Sequence, residues 1–334
     1  MKEVADACGV SKMTVSRVLK GLHYGVSEST REKVLKAANE LGYRRNPMVQ
    51  SLMTQIRQRR TKMITAEIAA IFQDRKNTLY SKTGLAPSEF AILDAIRSTA
   101  SKHGFRLETF TYDGSRNSIP RIDRIIRARN IKGVFVESIW DPEVVPNLQW
   151  ENFYAVTHDY ALKKPELDRF AEDFFQDMEV AIDKVRIRGY KRIGFATSSA
   201  IEWRIRNQKL AAFLLYQSTV DENLRIPVFD THEMKKGAMI KWIERYQPEV
   251  IIGNEEAYSC LLSENLKIPG DIGFVGLTIW GGQTGVASIQ YDFTRLGELV
   301  AEFLIARILL NQTGLPNRPQ TIMIPGIWIE GSSY

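Results

Sequence analysis

Cysteine is almost absent from this sequence. Two residues, Cys8 and Cys260, are too few for a disulfide framework or a four-cysteine metal site. That excludes a small secreted scaffold and a zinc-finger protein, and a reducing cytoplasm is the compartment to expect. Histidine is equally sparse: His23, His103, His158 and His232 are scattered and form no His-Glu-x-x-His pair. The chain also has no phosphate-binding P-loop, no Gly-x-Ser-x-Gly elbow and no dinucleotide glycine fingerprint. No catalytic residue, metal site or cofactor is therefore expected. No apolar run approaches the ~20 residues of a membrane span, and Met1 to Asp6 has no signal-peptide core. No membrane partner is expected.

What is present is an ordinary globular composition, 44% hydrophobic and 25% charged over 334 residues, enough for two or three domains. The net charge of +6 is distributed unevenly. Residues 1–62 hold 13 Lys or Arg against 5 Asp or Glu, whereas the remaining 272 residues hold 32 against 34. All the excess positive charge lies in the first fifth of the chain. Such asymmetry points to a nucleic-acid or anionic-membrane partner for that segment alone.

The local pattern favours nucleic acid. Lys2 to Cys8 carries apolar Val4, Ala5, Ala7 and Cys8 at near-helical spacing until Gly9-Val10-Ser11 interrupts it. Ser11 suits the N-cap of a second helix over 12–20, with Val15, Val18 and Leu19 on its inner face. A third helix follows, capped by Ser27 or Ser29, with Val34, Leu35, Ala38 and Leu41 as its inner stripe. Two short helices joined by a glycine turn and backed by a third describe a helix-turn-helix. A recognition helix reads base edges with its N-terminal side chains. Arg17 can form a bidentate pair with guanine, Lys12 a guanine or phosphate contact, and Met13 an apolar contact with a thymine methyl; Ser11, Thr14 and Ser16 carry hydroxyls for capping or for phosphates.

The run from Val4 to Leu19, followed by Val26-Ser27, Arg31 to Val34 and Leu41-Gly42-Tyr43, closely resembles the headpiece of the lactose-repressor (LacI/GalR) family. The resemblance implies that Lys12 and Met13 select the operator and that Arg17 is the common guanine reader. Asn46-Pro47-Met48-Val49-Gln50-Ser51-Leu52 resembles the family's hinge helix, with Asn46 as a DNA contact and Leu52 as the wedge that kinks the minor groove. This chain departs from the pattern in its basic 54–62 segment, which has no glycine, and in a headpiece turn one residue longer than usual.

From residue 64 onward strand and helix patterns alternate. Short apolar strands are expected at 66–72, 107–110, 133–136, 154–157, 193–197, 250–253 and 273–277. Helices are expected at 90–103, 122–130, 173–188, 203–216 and 234–246, and the resemblance to the family implies another from Leu296-Gly297 to Leu310. Alternation of this kind predicts parallel sheets covered by helices on both faces, here as two α/β lobes. Arg188 to Phe195 and Pro269 to Leu277 resemble the family's effector domain, whose fold is that of periplasmic sugar-binding proteins. That resemblance implies three crossings between lobes, placed near 158–162, 285–291 and 320–326.

The expected architecture is thus a small all-α helix-turn-helix headpiece (1–45), a hinge helix and linker (46–63), and a two-lobed α/β domain of periplasmic-binding-protein type (64–334). Ligands of such sheets sit beyond the carboxyl ends of the strands. Trp140, Trp203 and Trp280 follow expected strands and offer stacking faces; His158-Asp159 follows another. Asp74 lies in the loop where the family's first-strand motif, an acidic residue followed by Asn-Pro-Phe, is missing. Asn254-Glu255 stands where the family usually has Asn-Asp, and Lys209, Arg204 or Arg206 stands near its effector-binding arginine. The partners implied are double-stranded operator DNA, a small polar effector of carbohydrate type, and a second copy of the chain as a homodimer. The competing reading, a cytoplasmic solute-binding protein without a regulatory role, shares the fold and differs by not binding duplex DNA.

Overall fold

The computed structural model describes residues 2–19, 26–41, 66–73, 86–112, 118–137, 146–232, 237–277 and 285–334. The expected hinge with Asn46 and Leu52 lies outside the described residues, as do His23, Asp74, Trp140 and Trp280.

Three helices open the chain: α1 (Lys2–Cys8), α2 (Lys12–Leu19) and α3 (Glu28–Glu40). Gly9 ends α1 at φ +64, a left-handed value that a side chain would strain, and the Val10 N–H returns to the Ala5 carbonyl. Ser11 starts α2 at once, its hydroxyl accepting from the Thr14 N–H at 3.0 Å. Ser27 rather than Ser29 caps α3, accepting from Thr30 N–H. Val4, Ala5, Val15, Val18, Val34 and Ala38 form a small closed core. The expected inner stripe of α3 is corrected on one point: Leu35 is 44% and Leu41 50% exposed, because Val34 and Ala38, one turn apart, already fill the contact with α1 and α2.

Six parallel strands form the first lobe's sheet: β1 (Ala66–Gln73), β2 (Phe105–Tyr112), β3 (Gly133–Val136), β4 (Tyr154–His158), β5 (Asp168–Glu172) and β11 (Thr321–Ile324), ordered β11-β5-β4-β3-β1-β2. Helices α4 (Pro87–Lys102) and α11 (Phe293–Leu309) cover one face, and α5 (Ser118–Ala128) the other. The second sheet holds β6 (Ile193–Thr197), β7 (Phe229–Asp230), β8 (Val250–Gly253), β9 (Gly273–Leu277), β10 (Ser288–Gln290) and β12 (Ile327–Ile329), ordered β12-β10-β9-β8-β6-β7. It is parallel except for β12. Helices α6 (Phe174–Ile187) and α8 (Gln208–Ser218) pack on one side; α9 (Ala238–Tyr246) and α10 (Glu255–Ser263) pack on the other. A short α7 (Ser199–Arg204) precedes α8.

The helix expected over 203–216 is therefore broken in two. Arg206 and Asn207 both take left-handed φ values, +59 and +56, and turn the chain between α7 and α8. The first crossing between lobes is also corrected. Residues 158–162 do not leave the first sheet, because β5 follows and pairs with β4; the chain crosses between Glu172 and Phe174 instead. The second crossing lies between Gln290 and Phe293 and the third between Ile324 and Ile327. Asp177 on α6 accepts from the Gly326 N–H at 2.8 Å, and the Phe174 and Tyr291 rings meet edge-on at 5.8 Å, so the three crossings are fastened to one another.

Helices α4 and α11 touch closely because Gly297 has no side chain: a β-carbon there would stand 2.8 Å from Ala95 Cβ and collide with the Ile92 backbone. Gly297→Val is expected to lose about 1–3 kcal/mol by overpacking, read as a lower midpoint in urea unfolding. An unchanged midpoint would mean that the two helices separate without cost.

Candidate functional site

Two regions carry chemistry. On α2, Lys12, Met13 and Arg17 are exposed, Met13 by 63%, while Val15 and Val18 turn inward. Arg17 and Met13 are one turn apart, and the guanidinium donates to the Met13 Sδ at 3.6 Å. The forked donor and the apolar thioether thus share one outward surface, the arrangement needed to read adjacent groups on a base-pair edge. Ser11 and Thr14 pair with each other, Oγ to Oγ1, at 2.9 Å. The Ser11 hydroxyl holds the start of the helix. Of Ser16 only its helical backbone is described.

The second region is a cavity of about 190 Å³ between the lobes, lined by residues at the carboxyl ends of strands. From the first lobe come Glu137 after β3, His158 at the end of β4, Asp159, Glu172 at the end of β5, and Ser88 and Glu89 from the start of α4. The second lobe contributes Arg204, Lys209, Asn254, Glu255, Glu256 and Leu277; Phe174, Tyr291 and Phe293 come from the crossings. The position follows from parallel sheets, whose strand ends open on one side where loops converge.

At its centre His158 is clamped between two buried carboxylates. Its Nδ1 lies 2.6 Å from Glu137 Oε1 and its Nε2 lies 3.3 Å from Glu172 Oε1. Burial alone would lower the imidazole's pKa, but the two carboxylate charges and their hydrogen bonds outweigh it and hold the ring well above its ordinary value of 6.5. Glu172 shows the counterpart: burial pushes its carboxyl up, and the charged imidazole beside it brings it below its ordinary value. Arg204 Nη2 pairs with Asp159 Oδ2 at 3.0 Å. Lys209 is fully enclosed, its ammonium 5.1 Å from the Phe174 ring centroid. Burial lowers its pKa, opposed by Glu202, Asp177 and Glu172. Burial likewise raises Glu202, and it pushes Asp177 up to about 6.

The cavity brings together six residues singled out in the sequence: His158, Asp159, Arg204, Lys209, Asn254 and Glu255. Asn254 also caps α10, its Oδ1 accepting from Ala257 N–H at 3.0 Å. Among the three basic alternatives, Arg204 and Lys209 line the cavity; Arg206 turns away, its guanidinium 5.3 Å from the Tyr160 ring. Trp203 is not part of the lining either: it is 37% exposed, with the Lys163 ammonium 4.3 Å over its ring. Sequence reasoning missed Glu89, Glu137, Glu172, Phe174, Tyr291 and Phe293. Glu137 carried a usable signal, since it directly follows an apolar strand just as Glu255 nearly does.

Residues 1–46 match the family described as "Bacterial regulatory proteins, lacI family". The HTH-type transcriptional regulator KdgR of Bacillus subtilis is 23% identical over 343 residues, covering 96% of this chain and 94% of the relative. Residues 1–46 thus form a LacI-family region, and the full chain is similar to an HTH-type transcriptional regulator. The likeness in fold extends over both lobes. A solved complex of the transcriptional regulator CelR with cellobiose superposes with a TM-score of 0.59 at 21% identity, covering 100% of this chain and 99% of that one. The lac repressor dimer bound to operator and the anti-inducer ONPF gives 0.59 at 18% identity, covering 99% and 97%. The chain is a DNA-binding transcriptional regulator of helix-turn-helix type. Among the described residues no helix is long and apolar enough to cross a membrane.

Proposed function

We propose that this protein is a cytoplasmic, homodimeric repressor whose hold on a near-palindromic operator is set by a small polyhydroxylated ligand, a carbohydrate or a derivative, taken between the lobes. One observation carries the reading: a helix-turn-helix with an outward Arg17–Met13 surface sits in the same chain as an interlobe cavity ringed by hydrogen-bonding side chains from both lobes. The similar solved structures point the same way, one being a complex with cellobiose and the other a complex with an operator and an anti-inducer. In this reading residues 1–45 bind DNA, 46–63 form the hinge and 64–334 hold the ligand and the dimer interface. Lys12, Met13 and Arg17 read bases, Asn46 and Leu52 engage the minor groove, and His158, Lys209, Asn254 and Glu255 face the ligand. A ligand shifts operator affinity only by the difference in its own affinity for the two arrangements of the lobes.

Selection of binding sites from random duplexes tests the DNA half. Arg17→Ala is expected to cost about 1–3 kcal/mol on the selected operator and to relax the preference at one guanine of each half-site. Equal weakening on every sequence would make Arg17 a phosphate contact and overturn its role as a reader.

A further inference from the structure

The charge of the interlobe cavity narrows the class of ligand it takes. Six carboxylates line it, on Glu89, Glu137, Asp159, Glu172, Glu255 and Glu256, against three cations, His158, Arg204 and Lys209. Each of those cations already answers to the protein's own acids. His158 lies between Glu137 and Glu172, Arg204 is paired with Asp159, and Lys209 feels the charges of Glu202, Asp177 and Glu172. Among the described residues, the acids of the lining outnumber its cations two to one. Among the described residues the lining carries three more acidic than basic groups, and Asp177 and Glu202 behind Lys209 add to them.

A second observation points into the same space. Glu172 is only 4% exposed, its Oε1 is engaged by His158, and its Oε2 has no hydrogen-bond partner although the residue lines the cavity. A buried carboxylate oxygen without a donor is costly, and closure of the lobes over it raises the cost further. Donors from a ligand offset that cost, and a charged donor offsets more than a hydroxyl does. The rings of Phe174, Tyr291 and Phe293 complete the lining with faces that suit a cation or the apolar face of a sugar ring.

We infer that the ligand of this cavity is cationic, an amino-substituted polyol whose ammonium group sits against Glu172. The inference rests on the reading of the cavity as the effector site and adds the sign of the ligand's charge. Sugar acids and sugar phosphates, which would meet the same six carboxylates, are excluded by it.

The test uses the full-length protein and three pyranoses that differ in charge: glucosamine, glucose and glucuronate, titrated at equal ionic strength and followed by thermal unfolding and by calorimetry. Glucosamine is expected to raise the unfolding temperature more than glucose does, and glucuronate to leave it unmoved. Glu172→Gln should erase the advantage of glucosamine over glucose. Since that substitution alters the His158 clamp, Glu255→Gln, on the first turn of α10, serves as a second variant and should weaken glucosamine at least tenfold more than glucose. Equal responses to all three sugars, zero included, or a preference for glucuronate would overturn the inference. Operator binding by the same preparation is read separately. Its loss would refute the regulator reading, whereas a protein that binds operator and prefers glucuronate refutes only the charge of the ligand.

Discussion

Raising the salt from about 50 to about 200 mM is expected to weaken operator binding by about 10³–10⁵, and deleting residues 1–63 to abolish it at every salt concentration. The steepness follows from where the charge lies. Of 45 basic residues, 13 fall within the first 62 positions, where only 5 acids oppose them, whereas the rest of the chain is slightly acidic. Each phosphate neutralised releases counterions, so log K falls by about 0.9 per contact with the logarithm of salt. A headpiece making six to ten such contacts, counted over a dimer, gives the stated range. The shortened protein should still fold, because among the described residues the apolar cores of the two lobes contain none of the headpiece, and the headpiece core contains none of theirs. Fluorescence anisotropy with a labelled operator checks both parts. Retained operator binding by residues 64–334 would show that the lobes themselves contact DNA, and a shallow salt slope would make base contacts rather than phosphates the source of affinity.

The parts of this fold that were legible in the sequence are those whose burial is apolar. All seven expected strands are present, most of them short apolar runs buried between helices, with the edge strand β2 alternating buried and more exposed positions. Strand β5 was invisible for the opposite reason. Its residues Asp168-Arg169-Phe170-Ala171-Glu172 carry three charged side chains and are not among the expected strands, yet all five are buried. Asp168 accepts from the Tyr154 hydroxyl and the Gln320 N–H, Arg169 donates to the carbonyls of Asp159 and Leu162, and Glu172 meets His158. Partners 7 to 152 positions away cannot be read from local pattern. Missing β5 displaced the first crossing and hid Glu172 from the cavity. The same limit explains Trp203 and Arg206: their direction depends on two left-handed residues at the α7–α8 turn, and neither Arg206 nor Asn207 announces one. Where a resemblance supplied register, as at Ser11 to Arg17 and at Asn254-Glu255, position along the chain was read more finely than periodicity allows.

His158→Phe is expected to destabilise the protein by about 3–5 kcal/mol near neutral pH, the cost of leaving buried carboxylates without their cation. Glu137 and Glu172 are 1% and 4% exposed, so water cannot replace the imidazolium. The sign of the pH dependence follows from the two shifts. The imidazole's folded pKa lies well above 6.5, so its contribution is complete below that value and is lost as pH rises through the folded pKa. Glu172 is held below its ordinary 4.5, so its contribution is present above 4.5 and is lost as pH falls through the lowered value. The gap in stability between parent and variant should therefore be widest between those limits, around neutrality. It should narrow in acid, where the variant's carboxylates protonate, and again in alkali, where the parent's imidazole loses its charge. Urea unfolding of both proteins across this range measures the gap. Adding Glu137→Gln to His158→Phe should recover part of the loss at neutral pH, because one of the two uncompensated charges is then gone. A gap that stays constant with pH, or a double variant no more stable than His158→Phe alone, would mean that the clamp holds through packing and not through charge.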